Sequence, residues 1–82
     1  MSTPLKVFIT GASSGIGRAL AEHYAAQGAV LGLAARRASL LQDMAETLGG
    51  AVHGYPLDVT DAEALRDAAT DFMAWAGTPE IL

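Results

Sequence analysis

The segment Thr10-Gly11-Ala12-Ser13-Ser14-Gly15-Ile16-Gly17 constrains this chain more than any other feature. Before it lies the short apolar, β-branched run Leu5–Thr10, which reads as a buried strand stopped by Gly11. After it, from about Gly15 to Gln27, the pattern turns helical, with Ile16, Ala19, Leu20 and Tyr24 on one face and Gly28 as the C′ residue. A strand that turns through glycines straight into a helix sets the helix N-terminus over the strand's carboxyl end. Gly11 permits the tight turn, Gly15 lets a ligand approach the backbone, and Gly17 lets the helix pack closely on the sheet. Unpaired N–H groups and the positive end of the helix dipole, including those of Ile16, then suit an anion such as a pyrophosphate. Ser13 and Ser14 add hydroxyl donors. A ligand-free glycine turn is the alternative, and the flanking strand and helix favour the binding reading.

The same alternation continues along the chain. Ala29–Ala35 is an uncharged apolar run and reads as a second buried strand. Ser39 with Gln42 reads as a capping box opening a second helix, with Leu40, Leu41, Met44, Ala45 and Leu48 as its apolar stripe and Gly49-Gly50 as its end. Ala51–Leu57 is a weaker third strand, which Gly54 and Pro56 demote to a sheet edge. Thr60 with Glu63 reads as a second capping box, before a third helix with Leu65, Ala68, Phe72 and Trp75 as core anchors. Gly77 and Pro79 close that helix, and Glu80-Ile81-Leu82 reads as the start of a fourth strand. The order β-α-β-α-β-α-(β) predicts an α/β fold with a parallel sheet. Right-handed crossovers place the first two helices on one face and the third on the other if the fourth strand pairs beside the first. The glycine turn then lies at the switch point where such sheets bind ligands.

The ends of the second and third strands offer the next candidates. An acid at the end of strand two would suit a ribose 2′-hydroxyl, but here Ala35 is followed by Arg36 and Arg37. Guanidinium groups pair with a 2′-phosphate and stack on adenine, which favours NADP(H) over NAD(H). The alternative is two surface charges, although cations at a helix N-terminus oppose its dipole. Asp58-Val59 follows strand three; the carboxylate reads equally as an acceptor for an adenine amino group or as a plain turn residue.

Charge sharpens this picture. Residues 1–37 carry four basic side chains and one acid, whereas residues 38–82 carry one basic side chain and eight acids. The net charge of −4 disfavours nucleic acid, and an anion is drawn to the first part. No apolar run is long enough to span a bilayer. Met1-Ser2-Thr3-Pro4 lacks the pattern of a secretory leader, so the cytoplasm is the expected compartment. With no cysteine there is no disulfide framework or thiolate metal site. His23 and His53 lie on different elements without a third ligand at metal spacing, so no metal site is expected.

Together, Thr10–Gly17, Ala34-Ala35-Arg36-Arg37 and Leu57-Asp58-Val59-Thr60 resemble the short-chain dehydrogenase/reductase family, in order and over essentially the whole chain. The resemblance implies a doubly wound Rossmann-type fold and hydride transfer between a nicotinamide cofactor and a small carbonyl or alcohol substrate. It further implies that Asp58 and the Val59 backbone hold the adenine, and that Arg36 marks NADP preference. The family's Asn-Ala-Gly motif, catalytic Ser and Tyr-x-x-x-Lys have no counterpart here; Tyr24 and Tyr55 are not followed by Lys four residues later. Residues 1–82 are thus expected to be the N-terminal part of a dinucleotide-binding domain, truncated at the start of strand four and inactive alone. The alternatives are a free-standing nucleotide-binding or interaction module, self-associating through an exposed strand-one edge, and a truncated product without function.

Overall fold

The computed structural model describes residues 5–12, 14–49 and 51–82. The apolar runs form β1 (Lys6–Thr10), β2 (Val30–Ala35), β3 (Val52–Pro56) and the short β4 (Glu80–Ile81). Between them lie α1 (Gly15–Ala26), α2 (Ala38–Leu48) and α3 (Ala62–Ala76). The strands form one sheet in the order β3-β2-β1-β4, and every pairing is parallel. This is the expected α/β arrangement, Rossmann-like, with β3 on an edge and the chain reversing direction across the sheet between β3 and β4.

Strand alternation splits the core into two layers. Val7, Ile9, Leu31, Leu33 and Ala35 face α1 and α2, where they bury Ala21, Leu41 and Met44. Phe8 and Ala34 face the opposite way and pack with Ala68 and Phe72 of α3. Gly32 belongs to this second layer, because a Cβ there would lie 2.7 Å from both the Phe8 and Phe72 rings. Stepping outward from β1 to β3 keeps α1 and α2 on one face; returning to β4 moves α3 to the other, as right-handed crossovers require.

Several expectations need correction. Strand one has no open edge among the described residues: β2 and β4 flank it, and Leu82 extends the second pairing by donating to Phe8 O and accepting from Thr10 N. In α1 the inward face is Gly17, Leu20, Ala21, Tyr24 and Ala25; Ile16 is 78% exposed and Ala19 also faces outward. Ser39 caps nothing, because α2 starts at Ala38 and its N-cap is Arg37, which makes no side-chain capping bond. Thr60 is likewise displaced as a cap by Asp61, whose carboxylate accepts from Ala64 N at 3.1 Å. Trp75 is 50% exposed and lies edge-on against Phe72 and His53; Phe72 is the buried anchor.

These assignments predict distinct costs in urea unfolding. Phe72→Ala should destabilise by about 3–5 kcal/mol and Asp61→Ala by about 1 kcal/mol. Ser39→Ala, with no cap to lose, should stay within about 0.5 kcal/mol of the parent.

Candidate functional site

The turn from β1 into α1 is built around one close approach. A Cβ on Gly17 would run into the carbonyl oxygen of Gly11 and lie 3.0 Å from Ala12 Cα. The third glycine therefore brings the helix onto the turn itself, rather than onto the sheet at large. Gly11 adopts φ +65°, which glycine tolerates without strain. Ala12 N donates back to Ala34 O at 3.1 Å, tying the turn to the end of β2.

Ser14 fixes the start of the helix. Its hydroxyl donates to Gly11 O at 2.8 Å and accepts from Gly17 N at 3.0 Å. That hydroxyl is therefore committed to the cap instead of being a free donor for a ligand. The helical ladder opens with Arg18 N donating to Ser14 O. The N–H groups of Gly15 and Ile16 precede it and have no intrahelical acceptor. Gly15 has open space where a Cβ would project, so a ligand can reach the backbone there. The expected contribution of Ser13 lies outside the described residues.

Beside this turn, at the carboxyl ends of the strands, is a cleft of about 400 Å³ lined by Gly11, Ala35, Arg36, Arg37, Leu40 and Val59. It unites residues from all three segments singled out in the sequence. Sequence reasoning missed Ala35 and Leu40 as lining residues. Leu40 carried a signal, since Leu40 and Leu41 are adjacent and cannot share one direction on a helix. Leu41 is buried in the core, and Leu40 is half-buried at the cleft.

Arg36 and Asp58 meet directly. Arg36 Nη2 donates to Asp58 Oδ2 at 2.9 Å, across the paired ends of β2 and β3. The other carboxylate oxygen, Oδ1, accepts from Thr60 N at 2.9 Å and from Thr60 Oγ1 at 2.7 Å. These Thr60 bonds, then Arg36, hold the Asp58 carboxyl below the usual carboxylate range. Thr60, read from sequence as a helix cap, instead orients Asp58.

Of the other candidates, Ser14, Gly15, Ile16, Gly17 and Asp58 are not among the residues lining the cleft, and the residues set aside in the sequence lie elsewhere. Tyr55 donates its hydroxyl to Asp71 at 2.7 Å on the α3 side of the sheet, and His23 bonds to Gln27 along α1. Among the described residues, no group of three His, Cys, Asp or Glu side chains could hold a metal ion. Nor is any helix among them long and apolar enough to cross a membrane.

A parallel sheet reversing at β1, a glycine turn under a helix N-terminus, and a cleft at the strands' carboxyl ends define a nucleotide-binding segment of Rossmann type. The chain matches the short chain dehydrogenase family over residues 5–82 and belongs to that family of oxidoreductases, whose cofactors are nicotinamide dinucleotides. It is 49% identical over 65 residues to a sulfoacetaldehyde reductase of Chromohalobacter salexigens, covering 77% of this chain and 25% of the relative. It is 40% identical over 62 residues to a serine 3-dehydrogenase of Rhizobium radiobacter, covering 76% and 25% respectively. A crystal structure of a short-chain dehydrogenase from Streptomyces avermitilis superposes with a TM-score of 0.86 and 35% identity, over 96% of this chain and 29% of that one. The chain thus spans about a quarter of the length of the curated relatives it matches.

Two outcomes test this geometry. Gly17→Ala should force α1 off the turn and cost about 1–3 kcal/mol, read by urea unfolding. In carbon-13 NMR, the Asp58 carboxyl should titrate below the ordinary carboxylate range. Its folded pKa is depressed, so its bonds to Thr60 and Arg36 are complete above that range and are lost as pH falls through the lowered value. Thr60→Val should move the titration back upward.

Proposed function

We propose that this chain is the cofactor-gripping part of an NADP(H)-dependent short-chain oxidoreductase, and that it does not turn over by itself. The observation that carries this reading is the cleft in which Gly11, Arg36, Arg37 and Val59 converge at the carboxyl ends of the first three strands. Its fit to a dinucleotide rests on the open approach over Gly15 and on the N–H groups of Gly15 and Ile16, which have no acceptor within the helix. Gly15 and Ile16 offer those N–H groups to the pyrophosphate, Gly17 holds the helix close enough to present them, and Ser14 fixes the cap. Arg36, with Arg37 beside it, supplies guanidinium donors for a ribose 2′-phosphate. Asp58 accepts from the adenine amino group, and Val59 walls the adenine side.

The bound cofactor supplies the hydride exchanged with a carbonyl or alcohol carbon. The general acid for that exchange, a Tyr activated by a Lys four residues later in the family pattern, has no counterpart in these 82 residues. We therefore assign the catalytic group and the substrate pocket of the working enzyme to chain beyond this segment. Two relatives named as a reductase and a dehydrogenase support the oxidoreductase reading.

Fluorescence titration with NADPH and NADH tests the cofactor preference. NADPH should bind the 82-residue chain more tightly. Arg36→Ala should weaken NADPH about 10- to 100-fold, the worth of a hydrogen bond to a charged group, and leave NADH much less affected. Tighter NADH binding by the parent chain would contradict the assignment.

A further inference from the structure

We propose that Arg36 and Asp58 form a latch beside the cleft: Arg36 occupies the Asp58 oxygen that adenine needs, and a phosphate on the ribose releases it. This inference rests on the site reading above, in which Asp58 meets adenine and Arg36 meets a 2′-phosphate. It adds an energetic connection between the two ends of the site, and it gives Thr60 a positioning role.

The two carboxylate oxygens of Asp58 have separate duties. Thr60 takes Oδ1 with both its backbone N–H and its hydroxyl, at 2.9 and 2.7 Å. That double hold stops the carboxylate rotating, which leaves Oδ2 as its outward acceptor. Arg36 Nη2 occupies Oδ2 at 2.9 Å. An adenine amino group arriving at Asp58 must displace or share with the guanidinium. Arg36 in turn has to leave Asp58 before it can grip a phosphate fully.

The pair suits a switch rather than a lock. The Arg36 and Asp58 side chains are 75% and 42% exposed. Exposed ion pairs contribute little to stability, so the pair opens at low cost. A phosphate dianion, with its greater charge and several acceptor oxygens, outcompetes one exposed carboxylate oxygen for a guanidinium. A ligand with a 2′-phosphate thus draws Arg36 away and frees Oδ2 for its own adenine. A ligand with a 2′-hydroxyl leaves Arg36 where it is and meets an occupied acceptor. The two contacts reinforce one another, as linked binding requires.

Adenosine is the discriminating probe, because it carries adenine without any phosphate and feels no net attraction to a lost or added charge. Its affinity for the 82-residue chain can be followed by NMR chemical-shift titration. Arg36→Ala should tighten adenosine about two- to five-fold, the upper range of an exposed pair, although it removes a side chain from the cleft. Asp58→Asn should weaken adenosine, and Arg36→Ala should give no tightening in that background. Thr60→Val should also weaken it, with Thr60→Ser restoring parental affinity.

Unchanged or weaker adenosine binding by Arg36→Ala overturns the latch, even if the same variant loses its NADPH preference and so upholds the site reading. Tightening of adenosine without any parental preference for NADPH keeps Arg36 as the occupant of Asp58 but overturns release by phosphate, and with it both the latch and the cofactor assignment. Adenosine shifts absent from parent and variants alike overturn both. Parental adenosine affinity in Thr60→Val removes the positioning role of Thr60.

Discussion

The contact on which the rest of the site depends is the seat of Gly17 on the Gly11 carbonyl. Any side chain at Gly17 would occupy the space of that oxygen, so glycine alone permits the helix to come this close. The contact also sets the rotation of α1 about its axis. With Gly17 turned inward, Ala21 follows one turn later into the core, and Ile16 is carried outward beside the exposed end of the helix. Ser14 then reaches both Gly11 O and Gly17 N with one hydroxyl, which closes the turn, and the N–H groups of Gly15 and Ile16 have no acceptor within the helix. Packing and the proposed presentation of these N–H groups to a ligand are thus two consequences of one missing side chain.

The sheet holds this turn in place from below. β1 and β2 are covered on both faces, and their apolar side chains alternate between an aliphatic layer under α1 and α2 and a smaller aromatic layer under α3. The aromatic layer closes because β2 gives way to it: Gly32 leaves room for the Phe8 and Phe72 rings, which meet with centroids 5.6 Å apart. Because the strands run parallel, β1, β2 and β3 end on the same side, and Ala35 of β2 pairs with Pro56 of β3. That register brings Arg36 and Asp58, 22 residues apart in sequence, within hydrogen-bond reach.

Much of this was legible in the sequence because it depends on backbone-scale rules. Alternating strand and helix patterns, glycine punctuation and the handedness of crossovers are enough to anticipate the parallel order, the two layers and the cleft's place at the strand ends. The misreadings concern side chains whose partners lie elsewhere. Ile16 fits an apolar stripe by spacing, but the rotation of α1 is set by Gly17 against a distant carbonyl. Ser39 and Thr60 have the right spacing for capping boxes, yet spacing does not say which residue stands first in the helix. Arg37 precedes Ala38 in one case and Asp61 precedes Ala62 in the other. The free edge expected on β1 was an error about pairing: the two residues of β4, with Leu82, suffice to occupy it. The Arg36–Asp58 contact was not visible at all, since it arises from the β2–β3 register.

The start of α2 shows where local stability has been given up. Arg36 and Arg37 lead into the helix, Arg37 stands at the N-cap without a capping bond, and no acid occupies the first turn. A missing cap costs about 1 kcal/mol, and cations at this end of the dipole add about 0.3–1 kcal/mol. The other two helices do have side-chain caps, Ser14 for α1 and Asp61 for α3, although only α3 also carries an acid, Glu63, in its first turn. The helix that lacks a side-chain cap, α2, begins at the cleft, with Arg37 and Leu40 in its lining. Asp58 offsets part of the charge from the neighbouring strand end, but at 2.9 Å it pairs with Arg36 alone and caps nothing in α2. A capping rule broken in α2 at the cleft and kept in α1 and α3 is the pattern expected where a site departs from what folding alone favours. The proposed anion-binding role of the two arginines accounts for that pattern, and in the proposed latch the ion pair with Asp58 restrains Arg36 until the anion arrives.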